Sequence, residues 1–432
     1  MTLTLVAPAD RQAGTALWAR AVARWLPAVM MLYGLLIWPV IYGRSPDTGP
    51  AFQVLQSESS ALSQVYFPVL FLLAAFVWLA TSYRRSPALR NTTIVLMALL
   101  MALFVMSVAW SIVPGTALRR VVLQGAIVAT LVLSVIAADD PRGVVDRIFW
   151  MLVAIMLINV GMVAVTRPGP LGYEGVYPQK NGLGAAAALA VIAALHQIFA
   201  GTPRARAVAM VTLVLAVGLL ILSKSKTSLG LAVMIPALAL AITVAARAAR
   251  LSVAAIVATL FGLVLLIYSL GVAAYIWDFS SVAEALFGDP TLTTRTDIWD
   301  FALDMASRRP VLGYGFESFW QAGLESPSVR EAPGFVAKMP HAHNGYIDIM
   351  IQTGFVGLGL LTVMLASAFH TCGRVLRSAF GLGTLCVMLV LFACFYNFLE
   401  SAWFRGFDFI SMAFVIAVTL AASEWERARW RP

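Results

Sequence analysis

Leu251–Ile276 reads LSVAAIVATLFGLVLLIYSLGVAAYI, with no charged side chain anywhere in it. A helix needs about 20 apolar residues to cross the hydrocarbon core of a bilayer, so this stretch predicts a transmembrane helix. Working outward, similar stretches lie near Leu26–Tyr42, Phe67–Ser82, Thr92–Trp110, Val121–Ala138, Ile148–Thr166, Gly182–Ala200, Ala207–Leu222, Ser228–Ala246, Ile347–His370, Gly381–Leu399 and Phe407–Ala422. Unpaired backbone is not tolerated in lipid, and the ten-residue alternation of a membrane β-barrel is absent. The expected fold is an all-α polytopic membrane protein of about twelve transmembrane helices. Residues 1–276 would hold the first nine with short loops, 277–346 one large loop with helices of its own, and 347–432 the last three helices and a tail.

Composition agrees. Of 432 residues, 61% are apolar and 12% charged, against about 25% charged in soluble domains. That excludes a soluble globular enzyme, and also disordered, collagen-like and disulfide-rich secreted classes. Cys372, Cys386 and Cys394 fall in the last apolar stretches without CxxC spacing, as small packing residues would.

Basic residues in short loops set orientation. One set of segments carries Arg11, Arg20, Arg24, Arg84, Arg85, Arg90, Arg142, Arg147, Arg204, Arg206, Arg247, Arg250, Arg374, Arg377, Arg427, Arg429 and Arg431, which is 17 of the 30 basic residues. This side, with both termini, is expected to be cytoplasmic. The first helix follows basic residues with no small-residue cleavage site behind it, and reads as a retained anchor. The net charge of +9 follows mostly from this bias. The loops on this side are too short to form a nucleic-acid-binding domain, so no nucleic-acid partner is expected.

The opposite face is more informative. Every lysine lies there, namely Lys180, Lys224, Lys226 and Lys338, with Arg119, Arg120, Arg295, Arg308, Arg309 and Arg330. Arg119 and Arg120 precede the fourth helix and Lys180 the sixth, while Lys224 and Lys226 occupy the turn Ser223-Lys-Ser-Lys-Thr-Ser228. Single cations of this kind can snorkel to headgroups. A set converging at one depth instead suggests an anion site. Lys180-Asn181-Gly182 at a helix N-terminus would add backbone donors and the helix dipole, which suits phosphate.

The long loop reads as a small structure. Thr294-Arg295-Thr296-Asp297 resembles a capped helix start. Ile298, Phe301, Ala302 and Met305 follow at helical spacing, and Arg308-Arg309-Pro310 ends the helix. Gly313-Tyr314-Gly315-Phe316 then forms a Gly-rich turn, and His341-Ala342-His343-Asn344-Gly345-Tyr346 stands where the chain returns to the membrane. His196 and His370 are isolated and read as structural. His341 and His343 lack the Cys or HxxxH partners of a zinc site. A structural turn histidine and a general base at the mouth of a basic cavity are both open readings, and the second is favoured.

In this order and on this face, these pieces resemble the O-antigen ligase and polymerase superfamily of bacterial envelope glycosyltransferases. The matching pieces are Trp110-Ser111-Ile112-Val113-Pro114 with Arg119, Gln179-Lys180-Asn181-Gly182, the Ser223–Ser228 turn, Thr294-Arg295 with Trp299, Gly313–Phe316, Ala342–Tyr346 and Thr353-Gly354-Phe355-Val356-Gly357. The resemblance implies a C-type glycosyltransferase-like fold in the bacterial inner membrane with a periplasmic active site. It implies an O-antigen ligase moving a glycan from undecaprenyl diphosphate to the lipid A–core oligosaccharide, without metal or other cofactor. Polymerisation of O-antigen and protein O-glycosylation are the alternatives within the superfamily. One departure is that the turn after the seventh helix often carries Ser-Arg in relatives. Here it carries Lys224 and Lys226, which keep point charges but lose the bidentate fork.

On this reading His343 is the general base, with Arg295 also catalytic. Lys180, Lys226, Lys224, Arg119, Arg120 and Asn181 hold the diphosphate, while Asn344, His341 and Tyr314 position the acceptor. Attack opposite the leaving group would invert the anomeric centre. Asp47 and Glu58 are eleven residues apart in the first outer loop and the long loop has no Asp-x-Asp pair, so no oxygen cage for Mg²⁺ or Mn²⁺ is evident. From another class, a twelve-helix transporter or flippase competes. It would be expected to show internal repeats and a midplane site, whereas the ionisable residues here gather at one face.

Overall fold

The computed structural model describes residues 8–42, 60–81, 87–287 and 294–430. Asp47, Glu58, Arg84, Arg85 and Arg431 lie outside the described residues, as does the side chain of Arg11. Among the described residues the fold is all helical, the one β-bridge being between Gly169 and Gly172.

In chain order the helices are α1 Pro8–Leu32, which continues through a π-helical turn Tyr33–Ile37 to Tyr42, α2 Ala61–Ala80, α3 Thr92–Ser107, α4 Pro114–Ala138, α5 Pro141–Val165, α6 Lys180–Ala200, α7 Pro203–Ser223, α8 Lys226–Ala249 and α9 Val253–Ala273. Then come α10 Phe279–Phe287, α11 Arg295–Arg308, α12 Gly345–Val375, α13 Phe380–Tyr396 and α14 Phe409–Trp430. Eleven helices among the described residues are long and apolar enough to cross a membrane. The 17-residue α13 is a shorter apolar helix beside them. The chain is a multi-pass membrane protein, and the expected twelve stretches coincide with these helices.

The helix ends follow local chemistry. Side chains of Ser60, Asn91, Thr202, Ser252 and Asn344 accept hydrogen bonds from first-turn N–H groups of α2, α3, α7, α9 and α12. Pro114, Pro141 and Pro203 occupy first-turn positions of α4, α5 and α7, where a missing N–H costs nothing. Thr294 departs from its expected role. Helix α11 does begin at Arg295, but Thr294 is left-handed and its side chain makes no cap bond.

Helices α6 and α14 form the centre, with 72% and 89% of their apolar windows buried, whereas α9 has 6% and lies at the periphery. Small residues make the centre tight. The Ala185–Ala188 run of α6 is fully buried, and a Cβ on Gly184 would stand 2.7 Å from Ser228 Oγ of α8. On the arginine-rich face, Arg24 pairs with Asp140 at 3.6 Å and Arg427 with Asp139 at 3.3 Å. Arg147, Arg247 and Arg374 lie over Trp25, Phe380 and Trp425.

Residues 294–344, ahead of α12, pack over the other face. Ile298, Ala302 and Met305 of α11 are buried with Tyr314, Phe319, Trp320, Val336, Ala342 and Ile351, so the helical spacing read from the loop is the face that packs. This lid is tied to α12 through a break at Gly354, whose φ is 64° and ψ −163°. A break inside an apolar helix strands backbone donors and acceptors. The Gly-rich turn supplies partners: Tyr314 N donates to Ile351 O at 2.8 Å, Gly315 N to Gln352 O at 2.9 Å, and Phe355 N to Pro310 O at 2.8 Å. A Cβ on Gly354 would stand 2.1 Å from Val311 O. Gly354→Ala is expected to destabilise by more than about 1 kcal/mol, since it adds both a clash and a left-handed alanine. Thermal unfolding in detergent should show a clear drop in Tm, and an unchanged Tm would contradict this packing.

Candidate active site

The site is assembled around Glu400, in the loop between α13 and α14. Its Oε2 is 3.0 Å from His343 Nδ1, and its Oε1 accepts from Arg295 at 3.1 Å and from Asn181 Nδ2 at 2.9 Å. The three partners come from the segment entering α12, from α11 in the lid and from the first turn of α6. The side chains are largely enclosed, with Glu400 12%, Arg295 15% and His343 23% exposed.

Backbone contacts fix this meeting. Gly345 N donates to Asn397 O at 2.8 Å and to Glu400 O at 3.0 Å, which joins the start of α12 to the loop carrying the carboxylate. Asn397 Oδ1 accepts from Ala402 N and Trp403 N, and Asn344 Nδ2 donates to Phe398 O. Gly345 must be glycine here, because a Cβ would stand 2.0 Å from Asn397 Oδ1. Trp299 Nε1 donates to Ala342 O and Arg405 to Pro340 O, holding the histidine segment from both sides. His343 itself has φ 50°.

The lysine turn joins through Asn181. Ser225 Oγ donates to Asn181 Oδ1 at 3.2 Å, and Lys180 Nζ lies 3.5 Å from Lys224 O. Lys224 is left-handed and closes α7, while Lys226 begins α8. Gly172 supports this turn closely, since a Cβ there would be 2.3 Å from Ser223 O. The structure therefore gathers Lys180, Asn181, Lys224, Lys226, Arg295, His341 and His343 about one mouth.

The other expected site residues are engaged in structural contacts. Arg119 is exposed and 3.5 Å from Thr116 Oγ1. Arg120 donates to the Glu317 carbonyl and stands 3.8 Å from its carboxylate, which makes it a strut under the lid. Tyr314 is buried in the lid, its hydroxyl donating to Met305 O. Asn344 caps α12 with its side-chain oxygen.

Electrostatics favour a charged Glu400. Burial is the largest single influence and would raise its pKa, but the contacts with His343, Arg295 and Asn181 together outweigh it, so the carboxyl is held below its usual 4.5. That contribution to stability is present above the unfolded value and is lost as pH falls through the folded one. His341 is held well below 6.5 by burial, then by His343, Arg405 and Arg295. Its Nδ1 accepts from the His343 N–H at 3.1 Å. The two imidazoles meet edge to face, 4.2 Å between centroids.

Glu400, Asn397 and Arg405 were missed in reading the sequence. A signal was present, since Glu400 is the sole acidic residue between Asp348 and Asp408 and closely follows the apolar stretch Phe380–Tyr396. An acid in such a place needs a partner.

The arrangement is a bundle of apolar helices of membrane-spanning length with a polar cluster at one end. Residues 211–362, about a third of the chain, match the family model described as O-antigen ligase (Wzy_C). The chain is also similar to the exopolysaccharide production protein ExoQ of Rhizobium meliloti (strain 1021), with 28% identity over 211 residues, 46% of this chain and 47% of that protein. It thus spans about half the length of that curated relative. The family match takes in Lys224, Lys226, Arg295 and His343, whereas Lys180 and Glu400 lie outside it.

Asp408 supports the Glu400 loop by accepting from Ile410 N and Ser411 N. Burial pushes its pKa up to about 7 from 3.8, against those bonds and Arg405. A raised acid favours the folded state fully below the unfolded value and loses that contribution as pH rises through about 7. Asp408→Asn removes this dependence. The Tm of the variant relative to the parent should therefore rise between pH 4 and pH 7, and a flat difference would contradict the assignment.

Proposed function

We propose that this protein is an O-antigen ligase. It transfers a glycan from undecaprenyl diphosphate to a hydroxyl of the lipid A–core oligosaccharide, at the periplasmic face of a bacterial inner membrane. The observation that carries the reading is the meeting of His343 and Arg295, both inside the segment similar to the O-antigen ligase family, at Glu400 beside the lysine turn.

The chemistry needs three things. The diphosphate must leave, the acceptor hydroxyl must lose a proton, and the two must be aligned. Arg295, Lys180, Lys224 and Lys226 match the charge that builds on the departing diphosphate. The first turn of α6, which begins at Lys180, adds backbone donors. Of the cations on this face, Arg119 and Arg120 have other partners and no assigned part in the step. His343 takes the acceptor proton as the hydroxyl oxygen bonds the anomeric carbon and the carbon–oxygen bond to diphosphate breaks. Attack from the face opposite the leaving group inverts the centre. General base catalysis contributes about 10²–10⁴-fold, and electrostatic stabilisation of the leaving group is of similar or larger size. No step calls on a metal.

A second reading is extension of a lipid-linked polysaccharide by the same chemistry, with a growing glycan as acceptor. The likeness to an exopolysaccharide production protein favours it. Both readings keep the same donor and base. The orientation is proposed from the arginine bias, with the lysine-bearing mouth facing the periplasm and residues 277–346 forming the periplasmic lid.

The test uses purified protein with undecaprenyl-diphosphate-linked glycan and rough lipopolysaccharide. A ligase gives capped core, and a polymerase gives longer donor. His343→Ala is expected to lower kcat by about 10²-fold or more with donor binding nearly intact, while Arg295→Ala lowers kcat and weakens the donor. Normal transfer by the His343→Ala enzyme would refute the base assignment. EDTA should leave the rate unchanged, and a loss restored by Mn²⁺ would refute metal independence.

A further inference from the structure

We propose that Glu400 is a positioning residue of the transfer site, fixing the His343 tautomer whose Nε2 accepts the proton and holding Arg295 and Asn181 in register with it. The inference rests on the transfer reading above and extends it to a residue outside the matched family segment.

The geometry leads to the tautomer. An ionised carboxylate only accepts hydrogen bonds. With Oε2 at 3.0 Å from His343 Nδ1, the shared proton belongs to Nδ1, and the lone pair then lies on Nε2. Glu400 is held below its usual carboxyl range, so it stays ionised. When the acceptor hydroxyl gives its proton to Nε2, the imidazolium keeps its Nδ1–H and the carboxylate keeps its charge. The neutral histidine–carboxylate pair thereby becomes an ion pair as the new glycosidic bond forms and the diphosphate bond breaks. That interaction is stronger in the transition state than in the ground state, which is what accelerates a step.

A carboxylate placed only to bury itself would need one cation. Glu400 instead engages donors from three separate elements, using both oxygens. Its own carbonyl is bound by Gly345 N, two residues after His343. A shift of Glu400 would therefore move the base, the diphosphate arginine and the α6 mouth together. Such coupling lets one residue set their relative distances to within a few tenths of an ångström, where misplacement by about 1 Å can cost about 10²-fold.

The charged and titratable groups about His343 are Glu400 and Arg405 from the loop before α14, Arg295 from α11, and His341 from its own segment. Removing the Glu400 charge disfavours the imidazolium. The acid limb of kcat/KM should then move to lower pH, while an amide at this position can also trap the unproductive tautomer.

The experiment measures release of undecaprenyl diphosphate by the parent, Glu400→Gln, Glu400→Asp and His343→Ala enzymes across pH, normalised to protein that elutes as folded in detergent. Glu400→Gln is expected to lose about 10²–10⁴-fold in kcat and to shift its acid limb to lower pH. Glu400→Asp keeps the charge on a shorter stem and should recover part of kcat with the parent's acid limb. If His343→Ala is inactive while Glu400→Gln keeps the parent's kcat and acid limb, the positioning role is overturned and the transfer reading stands. An active His343→Ala overturns both. Should Glu400→Gln fail to assemble, Glu400→Asp carries the test alone: kcat at the parent's level would overturn the proposal, and a fall of about tenfold or more at the parent's acid limb would support it.

Discussion

One buried carboxylate sets the geometry of this protein's mouth. Glu400 accepts hydrogen bonds from Arg295 and Asn181 and faces His343 Nδ1. Burying a carboxylate without partners is costly, so the loop between α13 and α14 can settle there only when α6, the lid and the start of α12 are all in place. The same contacts keep the acid ionised in an enclosed site. Assembly of the bundle and assembly of the polar site are therefore one event, and the cations stay close together without repelling one another apart.

The lid depends on a second constraint, in the backbone. A helix broken at Gly354 could not stand alone in lipid, because its exposed peptide groups would have no partners. The turn from Pro310 to Gly315 supplies them, and Arg120 braces the same region through Glu317. The lid is thus fastened at two points, to α12 at the break and to the mouth through Arg295 and Trp299. This leaves the histidine segment held between the lid and the α13–α14 loop.

The helices were legible because apolar runs of spanning length leave few alternatives, and the packed face of α11 followed from its spacing. The convergence of Lys180, Asn181, the lysine turn, Arg295 and His343 was legible as motifs sharing one face. Their common partner was not. Glu400 sits 57 residues beyond His343 in a short loop with no repeat or spacing to mark it, and only its isolation from other acidic residues singled it out. Asn344 and Tyr314 lie within the same motifs, yet one caps a helix and the other fills the lid core. Local pattern cannot separate a side chain that serves the fold from one that faces a ligand. Thr294 shows the same limit at the backbone, since a cap sequence in a left-handed conformation does not cap.

The most direct measurement is an experimental structure with a non-transferable lipid diphosphate bound. The account predicts the diphosphate within charge-assisted contact of Arg295 and at least one lysine of the α6–α8 mouth, the sugar carbon that bears it facing His343 Nε2, and Glu400 still on Nδ1. A diphosphate seated at Arg119 and away from Arg295, or a His343 ring turned from the sugar, would contradict it.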